Sequence, residues 1–306
     1  MVFRTIDEIL ERASALDTPR TVAVAGAEDE HVIDAVLQAK KAGFADPWLI
    51  GRKAQIQQIV RRFGGEIPED RYIDIPSNDP DEIAAKAVQL VKNGTATVIM
   101  KGKLNTSELL RAALNKQTGL DHSKVVTSFA FAQIPGYHKL VVFNDSGIIP
   151  YPTFDQKIEQ IKLVSEALRN MGYDDDVKIA ALAPAENLNP KIPESVEAAK
   201  LKEMCVNGEF PGCQIEGPIS FDLAMDRKAG AVKGYDSPVA GDVDVLLFPN
   251  LSSGNFTSKM LQLFGGGITI GMALGAGVPI AMSSRAATTR AKYCSLAMAV
   301  LSIKEG

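Results

Sequence analysis

The chain has 306 residues, of which 46% are hydrophobic and 23% charged, with a formal net charge of -4 at pH 7. This composition is typical of a soluble globular protein with a sizeable core, and the small excess of acid argues against a general binder of nucleic acid or anionic membranes. No apolar run is long enough for a transmembrane helix, and the acidic, amphipathic start is unlike a signal peptide. Three cysteines without metal-ligand spacing to the three histidines predict a reduced, cytoplasmic protein without a structural metal.

Strand-like and helix-like segments alternate through the first 116 residues. Acidic residues open the helical segments, Pro80 lies near the start of one, and Gly43 and Gly94 lie near the ends of two. The apolar runs predict strands at 21–27, 46–52, 71–76 and 96–102, and helices at 28–44, from residue 53, at 79–94 and at 105–116. This βα alternation predicts an α/β fold with a mostly parallel sheet covered by helices on both faces.

The middle of the chain changes pattern. Two apolar runs, 124–134 and 138–147, are joined by a turn-like segment and predict a hairpin. Thr153 and Gln156 are spaced as a capping box at the start of a long amphipathic helix. Further strands are predicted at 177–184, 213–218, 243–249, 266–271 and 278–284, with helices from residue 193 and at 285–304. We expect two domains, 1–128 plus 284–306 and 129–283, with the last helix packing on the first domain.

The stretch LLFPNLSSGNFTSK, at 246–259, joins an apolar strand to a helical segment through small polar residues. Gly254 and Asn255 tolerate unusual backbone angles, which a strand-to-helix turn can require. Free N–H groups at a helix start favour an anion, and Lys259 adds a full charge. The alternative is a capped helix with a solvated lysine, since most helix starts bind only their own caps.

The stretch MKGKLNTSELLRAALNK, at 100–116, has the same character. Thr106 and Ser107 lie where a strand gives way to a helix, and Arg111 lies one turn further on. Ligands of open α/β sheets bind beyond the carboxyl ends of the strands. A phosphate or carboxylate site is therefore one interpretation, and a surface helix with ordinary basic residues is the other.

A third element of this type is AMSSRAATT, at 281–289. Ser284 follows an apolar strand, and the guanidinium of Arg285 has the planar fork that suits a phosphate. A serine-capped helix is the alternative. No dinucleotide-binding glycine pattern, phosphate-binding Gly-Lys loop or nucleophile elbow is present, so the sequence offers little for a dehydrogenase, a nucleotide hydrolase or a serine hydrolase.

These stretches together resemble the phosphate acetyltransferase/phosphate butyryltransferase family, and the butyryl branch more closely. The likeness runs from about residue 21 to the end of the chain. It is carried most specifically by EGPISFDLA (216–224), KGYDSPVAGDVDVLLFPNLSSGN (233–255) and SSRA (283–286), in that order and spacing.

The resemblance implies an isocitrate/isopropylmalate dehydrogenase-like fold of two α/β domains with a cleft between them, and a homodimer. It implies reversible transfer of a short acyl group, butyryl or acetyl, between coenzyme A and inorganic phosphate, by direct transfer in a ternary complex. Coenzyme A is then a substrate, and no permanently bound cofactor or metal is expected. Acyl-coenzyme A and phosphate or acyl phosphate are the expected partners, and neither nucleic acid nor membrane is.

The resemblance also implies residue roles. Ser284 and Arg285 match the catalytic and coenzyme A-binding pair of the family, and Arg111 matches a phosphate-binding position. Thr106 and Ser107 are expected to bind coenzyme A. Gly254, Asn255 and Lys259 are expected to bind the substrate phosphate from the second domain.

The chain departs from the family after the Ser-Arg pair. The family follows this pair with acidic residues, one of which takes the thiol proton, whereas no Asp or Glu occurs between Arg285 and Lys304. A free thiol of pKa about 8.5 is already a few per cent ionised near pH 7, so the loss slows an enzyme without abolishing it. Two hypotheses follow: an active acyltransferase, or a coenzyme A-binding homologue with weak or no turnover.

Overall fold

A computed structural model of the chain describes residues 2–284 and 287–304. The chain divides into two compact units. The outer unit contains Ile6–Ser123 and the described residues from Ile270 onward, and the central unit contains the described residues up to Thr5 together with Lys124–Thr269. The domain boundaries expected from the sequence, at 128/129 and 283/284, remain predictions.

Helices and strands are numbered along the chain. The helices are α1 (Ile6–Ser14), α2 (Glu30–Lys41), α3 (Lys53–Arg62), α4 (Pro80–Lys92), α5 (Thr106–Ala113), α6 (Phe154–Asn170), α7 (Pro193–Val206), α8 (Phe221–Met225), α9 (Arg227–Lys233), α10 (Leu251–Leu263) and α11 (Thr289–Leu301). The strands are β1 (Arg20–Ala25), β2 (Ala45–Gly51), β3 (Tyr72–Asp74), β4 (Val98–Lys101), β5 (Thr127–Gln133), β6 (Val141–Asn144), β7 (Val177–Leu182), β8 (Cys213–Ile219), β9 (Val245–Leu247), β10 (Ile268–Leu274) and β11 (Ile280–Met282).

The strands of the outer unit follow the order β3-β2-β1-β4-β11-β10. The first five are parallel neighbours, and β10 pairs antiparallel with β11. In β1 the last four residues are buried in succession, which is the pattern of a parallel strand covered on both faces. The carboxyl ends of β1, β4 and β11 therefore meet at one edge of this sheet.

The last helix of the chain belongs to the core of the outer unit. Every residue of α11 from Cys294 to Leu301 is buried, and the helix packs on α1 and α2. A helix that is apolar all round is stable only when it is enclosed, so the composition of this segment dictates its place.

The strands of the central unit follow the order β5-β6-β9-β7-β8. The predicted hairpin is present as the antiparallel pair β5–β6, and the other three pairs are parallel. The expected capping box is also present, because the Thr153 hydroxyl accepts from the N–H of Gln156 while the Gln156 side chain accepts from the N–H of Thr153. The predicted α/β class with mostly parallel sheets is confirmed in both units.

Two short helices, α8 and α9, were not predicted from the sequence. Each is too short to show a period of apolar residues. One local signal is Asp226, which lies between them and accepts a hydrogen bond from the N–H of Lys228 at 2.9 Å, as a helix cap does.

Candidate active site

The pairing of β4 with β11 brings two predicted elements to one edge of the outer sheet. The strands are parallel, with Met100 opposite Ala281, so both chains leave the sheet on the same side. The chain leaving β4 leads to Thr106 and Ser107, and the chain leaving β11 leads to Ser284. Neighbouring parallel strands with loops at their carboxyl ends form the usual ligand-binding edge of an α/β sheet.

The loop after β4 is held tightly by the end of β1. The N–H of Gly102 donates to the carbonyl oxygen of Ala25 at 2.8 Å, and the N–H of Lys103 donates to that of Gly26 at 2.7 Å. A Cβ at Gly102 would lie 2.1 Å from the carbonyl oxygen of Gly26, so only glycine fits there. This contact fixes the path by which the chain enters α5.

The start of α5 is closed by a reciprocal contact between Asn105 and Glu108. The N–H of Asn105 donates to Oε2 of Glu108 at 2.7 Å, and Nδ2 of Asn105 donates to Oε1 at 2.7 Å. Thr106 and Ser107 are the first two residues of the helix, with Ser107 exposed. Backbone N–H groups in a first helical turn are oriented towards an anion when one is present.

Arg111 lies in the second turn of α5 and is paired with Asp81 of α4. Its Nη1 donates to both carboxylate oxygens of Asp81, at 3.0 and 3.3 Å. The two side chains are 63% and 64% exposed. An exposed pair of this kind is worth about 1 kcal/mol or less, so the guanidinium can exchange Asp81 for a phosphate at little cost.

Ser284 is exposed just beyond β11, and its carbonyl oxygen accepts from the N–H of Ala287 at 3.0 Å. Arg285, the other half of the expected catalytic pair, lies outside the described residues. Thr288 begins the next helix, because its hydroxyl accepts from the N–H of Ala291 at 3.3 Å.

A buried lysine lies behind this segment and was missed by the sequence reasoning. Lys292, in the first turn of α11, is 3% exposed, and its Nζ donates to the hydroxyl of Ser283 at 3.3 Å. Burial lowers the pKa of Lys292 below its ordinary value, and the nearby carboxylate of Asp29 opposes that shift. The sequence signal for this buried lysine was its position in a helix that consists mostly of apolar residues.

The central unit has a polar centre of its own at the carboxyl end of β6. The buried carboxylate of Asp145 accepts six hydrogen bonds from neighbouring donors. The donors are the hydroxyls of Thr127 and Ser128 and the backbone N–H groups of Ser128, Gly147, Ile148 and Ile149. The carboxylate thus organises the whole loop 145–149.

A second buried layer supports this loop. Nδ2 of Asn144 donates to Oγ1 of Thr127 at 2.8 Å and to the carbonyl oxygen of Ser128 at 2.7 Å. Nε2 of Gln160, from α6, donates to the same Thr127 oxygen at 3.1 Å. These contacts join β5, β6 and α6 beneath the Asp145 loop.

Helix α10 begins beside that loop, and here one expectation was wrong. Asn250 caps the helix by accepting from the N–H of Ser253 at 3.0 Å, so Gly254 and Asn255 lie inside the first turns and not in the strand-to-helix turn. Gly254 serves close packing and not an unusual backbone angle: a Cβ there would lie 2.5 Å from the carbonyl oxygen of Asp145.

The other two predicted residues of α10 differ in their contacts. Nδ2 of Asn255 donates to the carbonyl oxygen of Ser146 at 3.3 Å, so this residue and Gly254 both contact the Asp145 loop. Lys259 lies about two turns into the helix and is exposed.

The segments that carry EGP and KGYDSPVAGD also meet in the central unit. Glu216 is buried and accepts from Nζ of Lys202 at 2.6 Å and from the N–H of Gly217 at 3.1 Å. Burial, followed by the charge and hydrogen bond of Glu216, raises the pKa of Tyr235 well above its ordinary value. Gly241 has a φ of +66°, and a Cβ there would lie 2.4 Å from the backbone nitrogen of Arg227.

A depression of about 580 Å³ in the outer unit lies away from these elements. It is lined by Lys92, Lys116, His122 and Gly277 among others. Lys92 precedes β4 and Gly277 precedes β11, so the depression adjoins the amino ends of the strands, opposite the edge that carries Thr106 and Ser284. This depression is therefore not the candidate site of the outer unit, despite its volume.

Within residues 2–284 and 287–304, no cluster of three or more His, Cys, Asp or Glu side chains is arranged to hold a metal ion. No helix of that part of the chain has the length and apolar character needed to cross a membrane.

Comparison with known proteins gives a consistent result. The family model described as "Phosphate acetyl/butaryl transferase" matches residues 78–300. The phosphate butyryltransferase of Clostridium acetobutylicum is 32% identical over 300 residues, which cover 98% of each chain. The solved structure of a branched-chain phosphotransacylase from Enterococcus faecalis V583 has a TM-score of 0.78 and 29% identity, over 92% of this chain and 98% of that one.

A more distant neighbour bears on the fold alone. The structure of a 4-hydroxythreonine-4-phosphate dehydrogenase from Klebsiella pneumoniae has a TM-score of 0.56 at 14% identity, over 93% of this chain and all of that one. The expected relation to dehydrogenase-like folds is therefore confirmed. With a family match across most of its length and relatives above 30% identity over nearly all of it, the chain belongs to the phosphate acetyl/butyryl transferase family and is an enzyme of the phosphate acyltransferase type.

Proposed function

We propose that the chain transfers a short acyl group, butyryl or acetyl, between coenzyme A and inorganic phosphate, with both substrates bound together. The observation that carries this proposal is the parallel pairing of β4 with β11, which brings the start of α5 and the Ser283–Ser284 segment to one edge of the outer sheet. Coenzyme A carries several phosphate groups and a thiol, and this edge offers donors suited to both.

The residues of the outer unit have different binding roles, which follow from their chemical groups. The N–H groups at Thr106 and Ser107 bind a phosphate of coenzyme A, as a helix start does. Arg111 leaves Asp81 to bind a phosphate group with its planar fork. Ser284 and Arg285 hydrogen-bond the acyl carbonyl and the phosphate, where negative charge grows as the new bond forms.

In the central unit, Gly254, Asn255 and Lys259 contribute to phosphate binding. The close contact of Gly254 with the Asp145 loop supports a fixed position for the start of α10. The exposed charge of Lys259 supports attraction of an anion to this helix.

The reaction then needs no covalent enzyme intermediate. The sulfur of coenzyme A attacks the acyl phosphate carbonyl, the C–S bond forms, and the C–O bond to phosphate breaks with its electron pair leaving on phosphate. Binding both substrates side by side supplies much of the acceleration. Initial rates measured at several fixed concentrations of each substrate test this: intersecting double-reciprocal lines are expected, and parallel lines would contradict direct transfer.

A homodimer is part of the same proposal. One face of α10 and the segment after it carry exposed apolar side chains at helical spacing. These are Phe256, Met260, Leu263 and Phe264, each 58% to 78% exposed. An apolar face of this size favours a second copy of the chain as its cover. Sedimentation equilibrium is expected to give twice the chain mass, with Met260→Glu shifting it towards the monomer. A wild-type monomer would contradict the dimer.

The cytoplasmic location remains a prediction from the sequence.

The absence of an acidic residue between Arg285 and Lys304 favours one alternative, a coenzyme A-binding homologue with weak or no turnover. Titration calorimetry with coenzyme A alongside the kinetic assay separates the two. Binding without turnover of any acyl group supports the alternative, and robust turnover excludes it.

A further inference from the structure

No Asp or Glu occurs between Arg285 and Lys304, yet this segment contains a buried amine. Lys292 is 3% exposed, and no carboxylate of the described residues forms an ion pair with it. Its Nζ donates a hydrogen bond at 3.3 Å to the hydroxyl of Ser283, the neighbour of Ser284. A lysine that forms no ion pair and is this buried is costly to keep charged, so it is suited to exchange a proton.

We propose that Lys292, acting through the hydroxyl of Ser283, takes the proton of the coenzyme A thiol, in a segment that carries no Asp or Glu. The inference rests on the proposed function, since it assumes that the thiol reaches the Ser283–Ser284 segment. Ser283 is the group that contacts the thiol. Lys292 is the base that accepts the proton from the Ser283 hydroxyl.

The proton transfer balances within the reaction. In the reacting state the Ser283 hydroxyl is rotated so that it donates to the lone pair of neutral Lys292. The S–H bond of coenzyme A breaks as its proton passes to the Ser283 oxygen, while the hydroxyl proton of Ser283 passes to that lone pair. The thiolate then forms the C–S bond, phosphate leaves with the electron pair of the C–O bond, and Lys292 is left as an ammonium ion. In the reverse direction the ammonium returns the proton to the departing thiolate by the same path.

The surroundings of Lys292 support a neutral amine. Burial favours the uncharged form, and the opposing carboxylate is that of Asp29, which caps α2 by accepting from the N–H of Val32 at 2.9 Å. A base with a pKa brought towards the working pH is the one that transfers protons most effectively.

Several other charged or titratable groups on the elements packed against α11 have partners of their own. Asp7 of α1 is paired with Arg290. Lys101 of β4 donates to the carbonyl oxygens of Gly102 and Leu104, and Nδ1 of His31 contacts the hydroxyl of Thr289. Residues 280–282 of β11 carry no titratable side chain.

The test compares wild type, Lys292→Met and Ser283→Ala as intact chains, with exposed Lys41→Met as the matched lysine control. The rate of acyl-coenzyme A formation from butyryl phosphate and coenzyme A is measured from pH 6 to pH 9.5. Loss of a general base lowers kcat by roughly 100-fold or more near pH 6.5. Because the free thiol ionises with a pKa of about 8.5, the deficit of Lys292→Met and Ser283→Ala should shrink as the pH rises past that value.

Each outcome decides a different point. A deficit that is the same at every pH means that Lys292 only positions the segment, and the inference fails while the proposed function stands. An equal rate in Lys292→Met and wild type also overturns the inference. If Lys292→Met does not fold, as judged by thermal unfolding, the pH profile of Ser283→Ala decides alone. A wild type that turns over neither butyryl phosphate nor acetyl phosphate overturns the proposed function and the inference together.

Discussion

The carboxylate of Asp145 accepts hydrogen bonds from both the backbone N–H and the hydroxyl of Ser128. The two residues are 17 apart in the chain and meet because β5 and β6 pair antiparallel. This contact ties the end of β6 to its neighbour and holds the loop on which the start of α10 packs. The stability of the central unit and the position of the start of α10 therefore depend on one buried carboxylate.

Replacement of Asp145 by alanine should destabilise the protein strongly. Six donors would lose their acceptor in a buried place, and losses of this kind cost about 3 kcal/mol or more. Urea unfolding measures the change, with exposed Asp236→Ala of the same unit as the control. Equal stability of the two variants would show that the Asp145 loop is not held as described.

Replacement of Gly254 by alanine should lower both stability and activity. The added Cβ would lie 2.5 Å from the carbonyl oxygen of Asp145, and overpacking of this kind costs about 1–3 kcal/mol. Gly230→Ala in α9 is the matched control, because its Cβ would come no closer than 3.4 Å to any neighbour. We expect thermal unfolding to show a loss for Gly254→Ala and no loss for Gly230→Ala, and equal losses would contradict the packing argument.

Replacement of Arg111 and replacement of Asp81 should have different effects on kcat/KM for phosphate. Arg111→Gln removes the proposed phosphate contact, and charge-assisted hydrogen bonds are worth about 1.5–3 kcal/mol, so kcat/KM should fall roughly 10- to 100-fold. Asp81→Asn releases the arginine from its exposed pair and should leave kcat/KM for phosphate unchanged or higher. Steady-state kinetics with phosphate varied measures both, and an unaffected Arg111→Gln would remove this residue from the site.

The charge cluster around Asp242 should make the central unit sensitive to acid. Burial alone would raise the pKa of Asp242, but hydrogen bonds from Lys178 at 2.6 Å and His138 at 2.7 Å, with the charge of Lys139, outweigh it and hold the pKa well below its ordinary range. A depressed carboxyl pKa contributes stability that is present above the unfolded value of about 3.9 and is lost as the pH falls below it.

Urea unfolding at pH 7 and pH 3 measures this contribution. Wild type should lose more stability across the interval than Asp242→Asn, whose side chain does not titrate. The exposed variant Asp236→Asn should behave like wild type. An identical loss in wild type and Asp242→Asn would contradict the assigned pKa direction.

The features that the sequence predicted are those with local causes. The capping box of Thr153 and Gln156 spans three residues, and Pro80 and Gly94 mark the ends of one helix, so short-range rules suffice for them. The hairpin and the βα alternation follow from the period of the apolar residues. The same local signals led to Thr106 and Ser107 at the start of α5.

The features that were missed depend on contacts distant in sequence. Asp145 is one acid in a turn-like stretch until β5 brings Thr127 and Ser128 against it. Gly254 was assigned to a turn because Asn250 is only one of several residues in this stretch that can cap a helix, and because the packing of the Asp145 loop is not visible in the sequence. Lys292 falls within the predicted terminal helix at 285–304, but its burial depends on α1, α2 and β11 together and was not predicted.

The central claim, that this chain moves an acyl group between coenzyme A and phosphate, is tested most directly by thiol release from acetyl-, propionyl- and butyryl-coenzyme A. Release is measured with and without inorganic phosphate. We expect release that depends on phosphate with at least one of the three thioesters. Release that is absent with all three, or that proceeds equally without phosphate, would contradict the claim.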